Sequence, residues 1–197
     1  LPEFLHPESM GVFVEGWALY AESLGAELGL YEDPVQYFGM LSMEMHRAIR
    51  LVVDTGIHSK GWTREQAIQY SLDHEAESED AIIAEIERYM ATPGQAVSYK
   101  IGQLKIRELR TRAETKLGDK FSIKEFHNQV LNSGSLPLVL LEEKIDKWDR
   151  FKELVETSKN VSLMLLSQKV LALKSQEFWS ENFDNILNLD SILDQYP

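Results

Sequence analysis

The sequence predicts an all-α fold, a multi-helix bundle, on three observations. Apolar residues recur at helical spacing nearly throughout, no run alternates cleanly with period two, and Val/Ile/Thr-rich segments bounded by turns are missing. Start and stop signals then divide the chain. Residues 11–30 form a first helix, closed by GLYEDP. Pro34 suits a first helical turn and opens a second helix, expected to run to about Thr55 and stop at Gly56. Thr63 and Gln66 in WTREQ have the spacing of a capping box and open a third. A fourth covers roughly 78–91 and stops at TPG; a fifth covers about 95–117, with Gly118 as its left-handed cap. Ser122 and Glu125 repeat the capping-box spacing before a short helix that ends at NSGS. Pro137 opens the next, and two or three more helices are expected over 148–195. A change of composition near Trp148 divides residues 1–148 from amphipathic helices over 149–197.

The chain has 197 residues, 44% apolar and 26% charged, as in an ordinary soluble globular protein with a sizeable core. Apolar runs fall far short of a membrane span, and no signal peptide is visible. Because the chain opens on Leu rather than Met, a processed product or a fragment is expected. With no cysteine, disulfides, thiolate metal sites and cysteine nucleophiles are excluded. The net charge is −12, and residues 1–99 alone hold 17 acids against 5 bases. That balance argues against nucleic acid or an anionic membrane as the main partner. The basic stretch from Lys100 to Lys120 has interleaved acids and reads as a solvated face.

Three stretches hold residues that can carry chemistry. In VFVEGWALYAES, Glu15 and Glu22 are seven residues apart, on one face of a helix that is apolar almost all round. An unpaired buried carboxylate is costly, so the two either face solvent, pair with arginines, or serve a metal site, where zinc accepts a carboxylate oxygen. In the second helix, Arg47, Arg50 and Asp54 share a face, and Arg50 and Asp54 have the spacing of an ion pair. His58, placed in a loop after Gly56, either orients a substrate or is an ordinary surface residue. In ATPGQAVSYKIG, residues Gln95 to Tyr99 open the fifth helix, where free N–H groups suit an anion or a carbonyl oxygen. Tyr99 either donates to a developing oxyanion or packs in the core with its hydroxyl on the backbone. No H-x-x-x-H spacing, phosphate loop or nucleophile elbow is present.

FVEGWALYAESLG, RLVVDTGIHSKGWTREQAI, PGQAVSYKIGQLKIRELR and LGDKFSIKEFHNQVLNSGSLPL together resemble the carboxy-terminal part of the bacterial family catalogued as domain of unknown function 885, over about residues 11–148. That family resembles the gluzincin zinc peptidases, all-helical like the thimet oligopeptidase and angiotensin-converting enzyme families. The resemblance implies a zinc cofactor in the complete protein, a peptide substrate, Glu15 as the third zinc ligand and Glu22 as a carboxylate beside the metal site. By position, Tyr99 and His58 would stabilise the oxyanion, Arg50 would pair with Asp54 or bind a peptide carboxylate, and Gln95 would support the site. The H-E-x-x-H segment of such enzymes is absent from this chain, which alone is expected to be inactive. Exported lipoproteins of this family give an expectation of the bacterial cell envelope. The competing reading is a non-catalytic helical module for binding or assembly.

Overall fold

The computed structural model describes residues 10–174, and among them it is all α, with no strand. The elements are α1 (Gly11–Glu27), α2 (Pro34–Lys60), α3 (Arg64–His74), α4 (Glu79–Ala91), α5 (Ser98–Leu117), a 3-10 turn (Gly118–Lys120), α6 (Ile123–Leu131) and α7 (Leu138–Lys174). The described residues divide into two units, 10–149 and 150–174. In the second, the described part of α7 exposes Phe151, Leu154 and Leu163. No described helix is long and apolar enough to cross a membrane.

Local chemistry explains most helix ends. Asp33 accepts from the Val35 N–H at 2.8 Å and precedes Pro34, so α2 starts with a side-chain cap and a ring already at helical φ. Thr63 and Gln66 form the expected reciprocal box, with N···O distances of 3.2 and 2.9 Å. Ser78 caps α4 and Ser122 caps α6.

Four expectations change. First, α2 does not stop at Gly56. It runs on to Lys60 and ends at Gly61, which takes the left-handed conformation at φ 71°. Gly56 serves as a seat for Trp62, since an added Cβ would lie 2.5 Å from the Trp62 ring. His58 is therefore inside a helix, not in a loop. Second, α5 begins at Ser98, and Gln95 lies in the preceding turn, where its carbonyl accepts from the Ser98 N–H at 3.2 Å. Third, Gly118 has φ 53° and ψ −128°, a glycine conformation outside the left-handed helical well, and opens the 3-10 turn. Fourth, one helix, α7, runs unbroken from Leu138 to Lys174 where several short ones were expected. The part of that expectation beyond 174 lies outside the described residues.

Two apolar clusters form in the first unit. Phe13 and Tyr20 of α1 join Ile106, Leu109 and Ala113 of α5, Phe126 and Val130 of α6, and Leu141 and Ile145 of α7. Ile49 and Val53 of α2 join Ala67 and Ile68 of α3, Ile82, Ile86 and Tyr89 of α4, and Ala96. The most extensive helix pairing is α1 with α5. It is possible because two glycines meet. A Cβ on Gly16 would lie 2.4 Å from the Gly102 Cα, and a Cβ on Gly102 would lie 2.0 Å from the Val12 carbonyl oxygen. The obstructing atoms are backbone, so no side chain can move aside. Gly16→Ala is therefore expected to force the helices apart and to cost about 3 kcal/mol, the upper range for an overpacked core. Thermal melts of this variant and of Gly102→Ala check it; a loss below 1 kcal/mol in both would show that the crossing is loose.

Candidate functional site

The two apolar clusters meet along a polar seam where α2 faces α5. At one point of it, Glu44 accepts from Lys100 and, at 2.9 Å, from Gln103, whose amide also donates to the Leu19 carbonyl at 3.3 Å. Burial opposes ionisation of Glu44, but these two hydrogen bonds outweigh it and hold the carboxyl below its usual range. Further along, α2 presents Arg47 and Arg50 at i and i+3 to the ring of Tyr99, with guanidinium carbons 5.5 and 5.0 Å from its centroid.

Arg50 is buried and fully engaged. Its Nε donates to the Tyr89 hydroxyl at 2.8 Å, its terminal nitrogen donates to Glu85 at 2.9 Å, and Tyr89 donates to Glu85 at 2.7 Å. The Arg50–Asp54 pair allowed by spacing is replaced by these partners from α4, which reach the guanidinium in a better geometry. Hydrogen bonds from Arg88, followed by Tyr89 and the charges of Arg88 and Arg50, pull Glu85 down to about 2. Burial, reinforced by the Glu85 carboxylate, pushes the Tyr89 hydroxyl up. Asp54, 4% exposed, accepts from the Gly94 N–H at 3.2 Å to each oxygen. It thereby anchors the turn that leads into Tyr99. Gln95, in that same turn, is held by Arg88 at 2.9 Å. His58 donates from Nε2 to the Tyr89 carbonyl at 3.0 Å and so braces the end of α4. These three are positioning residues for the Tyr99 turn and for Tyr89.

Tyr99 is half-buried, and its hydroxyl has no hydrogen-bond partner among the described residues. The reading that ties its hydroxyl to the backbone does not hold. Glu15 is half-buried too and has no hydrogen-bond or ion-pair partner among the described residues. At about 100° per residue, Val12, Gly16 and Leu19 form the stripe of α1 that lies on α5. Glu15 flanks that stripe on the side opposite Phe13 and Tyr20, one residue from the crossing glycine, and Tyr99 is one turn before the other crossing glycine. Both thus border the same helix crossing. Glu22 is exposed and two turns further along α1, away from Tyr99.

Several residues of the seam were not singled out from the sequence. Glu85, Arg88 and Tyr89 sit at i, i+3 and i+4 on α4, a spacing that shows an acid with a base and an aromatic on one face. His46 and Glu75 form a pair at 2.5 Å that links residues 29 apart in sequence, so nothing local signals it. Among the described residues no three His, Asp or Glu side chains converge as a metal site requires.

Fold and site define an all-α bundle whose two apolar cores are joined by a charged seam, with the Glu15 carboxylate and the Tyr99 hydroxyl lacking partners among the described residues. The chain belongs to the bacterial family described as "Bacterial protein of unknown function (DUF885)", which matches residues 2–145. It is 51% identical to a protein of Colwellia psychrerythraea described as a putative lipoprotein, with a TM-score of 0.70 over 71% of this chain. It is 28% identical to a putative lipoprotein of unknown function from Shewanella oneidensis, with a TM-score of 0.64 over 68% of this chain. In each case this chain spans 24% of the other's length. No curated protein matches it.

The seam supplies a pH-dependent test. Glu85 has a folded-state pKa below its ordinary 4.5, so its contribution to stability is present above about 4.5 and is lost as the pH falls toward about 2. Glu85→Gln removes the anion facing buried Arg50. The carboxylate is 32% exposed, so the cost falls below that of a fully buried pair, at about 2 kcal/mol. The melting temperature is expected to fall by about 4–8 °C at pH 7, and the gap to the parent protein to narrow between pH 4.5 and 3. A gap that stays constant over that range would remove Glu85 as the anion that neutralises Arg50.

Proposed function

We propose that this chain is the carboxy-terminal helical part of a zinc-dependent peptidase of the bacterial cell envelope. The observation that carries the reading is Glu15. The other buried or half-buried acids of the site, Glu44, Asp54, Glu75 and Glu85, each accept from a donor. Glu15 alone of this set has no partner among the described residues, although leaving a half-buried carboxylate unpaired is costly. A cation supplied at the crossing removes that cost, and a carboxylate oxygen is a suitable zinc ligand. Because the described residues contribute one such ligand, two more have to come from elsewhere in a longer protein, in keeping with relatives about three times this length.

Zinc bound there would activate a water and polarise a carbonyl. The chain's own residues have separable tasks. Glu15 holds the metal. The Tyr99 hydroxyl, free of competing bonds, donates to the oxygen of the tetrahedral intermediate, where each such donor is worth about 3 kcal/mol. Asp54 and Gln95 fix the turn that aims Tyr99, and Arg50 with Arg47 frames its ring. The envelope location rests on the relatives described as putative lipoproteins.

Glu15→Gln in the complete protein is the test. Peptide hydrolysis is expected to fall at least 100-fold, about 3 kcal/mol in transition-state stabilisation, together with zinc content, while the melting temperature holds or rises. Full zinc with a lowered melting temperature would make Glu15 a structural residue and defeat the proposal. The 197-residue chain alone is expected to lose its zinc on dialysis. A second reading, a helical binding or assembly module, is favoured by the exposed Val35, Phe38, Leu41 and Met45 on α2. Under that reading the relatives' full-length proteins would contain no zinc and cleave no peptide.

A further inference from the structure

Two arginines face the ring of Tyr99, and they differ in one respect. Arg50 is 7% exposed and its charge is answered by Glu85. Arg47 has no carboxylate within ion-pairing distance among the described residues, and its Nε is buried with no hydrogen-bond partner. An orphaned buried donor on a permanently charged group is uncommon and calls for an explanation. Arg47 also lines a cavity of about 280 Å³ together with Met43, His46, Ala81 and Ile82. Two carboxylates border that cavity. Glu85 is committed to Arg50, Arg88 and Tyr89, and Glu77 is exposed to solvent. The uncompensated cation at the cavity is therefore Arg47, beside apolar Met43, Ala81 and Ile82, with exposed Glu77 also lining it.

We propose that Arg47 anchors the free carboxy-terminal carboxylate of a peptide bound in this cavity. A guanidinium presents a planar fork that matches a carboxylate with two parallel hydrogen bonds, and the match strengthens where water is partly excluded. The neighbouring Met43 and Ile82 suit an apolar terminal side chain. The inference rests on the peptidase reading for its geometry of use. The Arg47 guanidinium carbon is 5.5 Å from the Tyr99 centroid, and an extended residue spans about 3.3–3.6 Å. One or two peptide residues therefore span the distance from Arg47 to the Tyr99 ring. The substrate class is a peptide with a free C-terminus, approached from that end.

The test uses the complete protein carrying Glu15→Gln, so that binding is measured without turnover. The probes are N-acetyl-Ala-Phe-Leu as the free acid and as the C-terminal amide, titrated by calorimetry. The acid is expected to bind at least tenfold more tightly than the amide. Adding Arg47→Gln should erase that preference and leave amide affinity unchanged, while Arg47→Lys should keep part of it as a point charge. Equal binding of acid and amide overturns the proposal. So does an Arg47→Gln protein that keeps the preference, or one that loses both ligands alike. A lowered melting temperature with an unchanged acid-to-amide ratio would mean that Arg47 pairs with a carboxylate of the protein itself, and also overturns it. If Arg47→Gln does not fold, the ratio in the parent and in Arg47→Lys still decides. Failure of zinc binding with the preference intact would sink the peptidase reading but not the carboxylate site.

Discussion

The contact of α1 with α5 through Gly16 and Gly102 is the constraint on which the site depends. Two helix backbones come within van der Waals distance only where neither carries a side chain, and here neither does. The approach places the Leu19 carbonyl on Gln103 and sends Tyr20 into the core formed with Ile106, Leu109 and Ala113. It also fixes where Glu15 emerges. A wider separation would draw the Gln103 amide away from the Leu19 carbonyl.

The seam between the two cores follows a different logic. Apolar clusters grow by burying area and are indifferent to partner. Charged groups taken from water need specific partners, so they specify how the clusters meet. Glu44 with Lys100 and Gln103, Asp54 with the Gly94 N–H, and Arg50 with Glu85 and Tyr89 each tie α2 to another element. Such pairs contribute little net stability, because desolvation offsets most of the attraction. Their effect is on register. Glu15, the Tyr99 hydroxyl and the Arg47 Nε are left without a hydrogen-bond partner among the described residues, one anion, one neutral donor and one cation, as is the buried Gln103 Oε1 of the seam itself. Membership of a family of unknown function leaves the chemistry to be argued from these three groups.

Much of this was legible beforehand where the signal is local. A helix start depends on one side chain and a backbone three residues on, so Asp33 before Pro34, the Thr63–Gln66 box and Ser122 could be read directly. Gly56 illustrates the opposite case. A glycine ends a helix when the backbone turns left-handed, and it sits inside one when another side chain needs the space. Only the position of the Trp62 ring separates these outcomes. The displaced end of α2 in turn moved His58 from a loop into a helix, where the Tyr89 carbonyl occupies it.

What the sequence determined by itself is the all-α class, most helix starts, and the presence of acids and arginines at spacings that place them on shared faces. Periodicity and capping are properties of neighbours along the chain, so they need no knowledge of the fold. The tertiary structure decided which of those charged residues are spent and which remain free. Arg50 and Asp54 have the spacing of a pair, yet each found a partner 35 or more residues away, Glu85 for one and the Gly94 N–H for the other. Arg47, three residues from Arg50 on the same face, found the Tyr99 ring but no carboxylate among the described residues. The physical reason is that an ion pair forms with whichever partner offers the better hydrogen-bond geometry at the least desolvation cost. That choice is made among helices brought together by packing, not among positions along one helix.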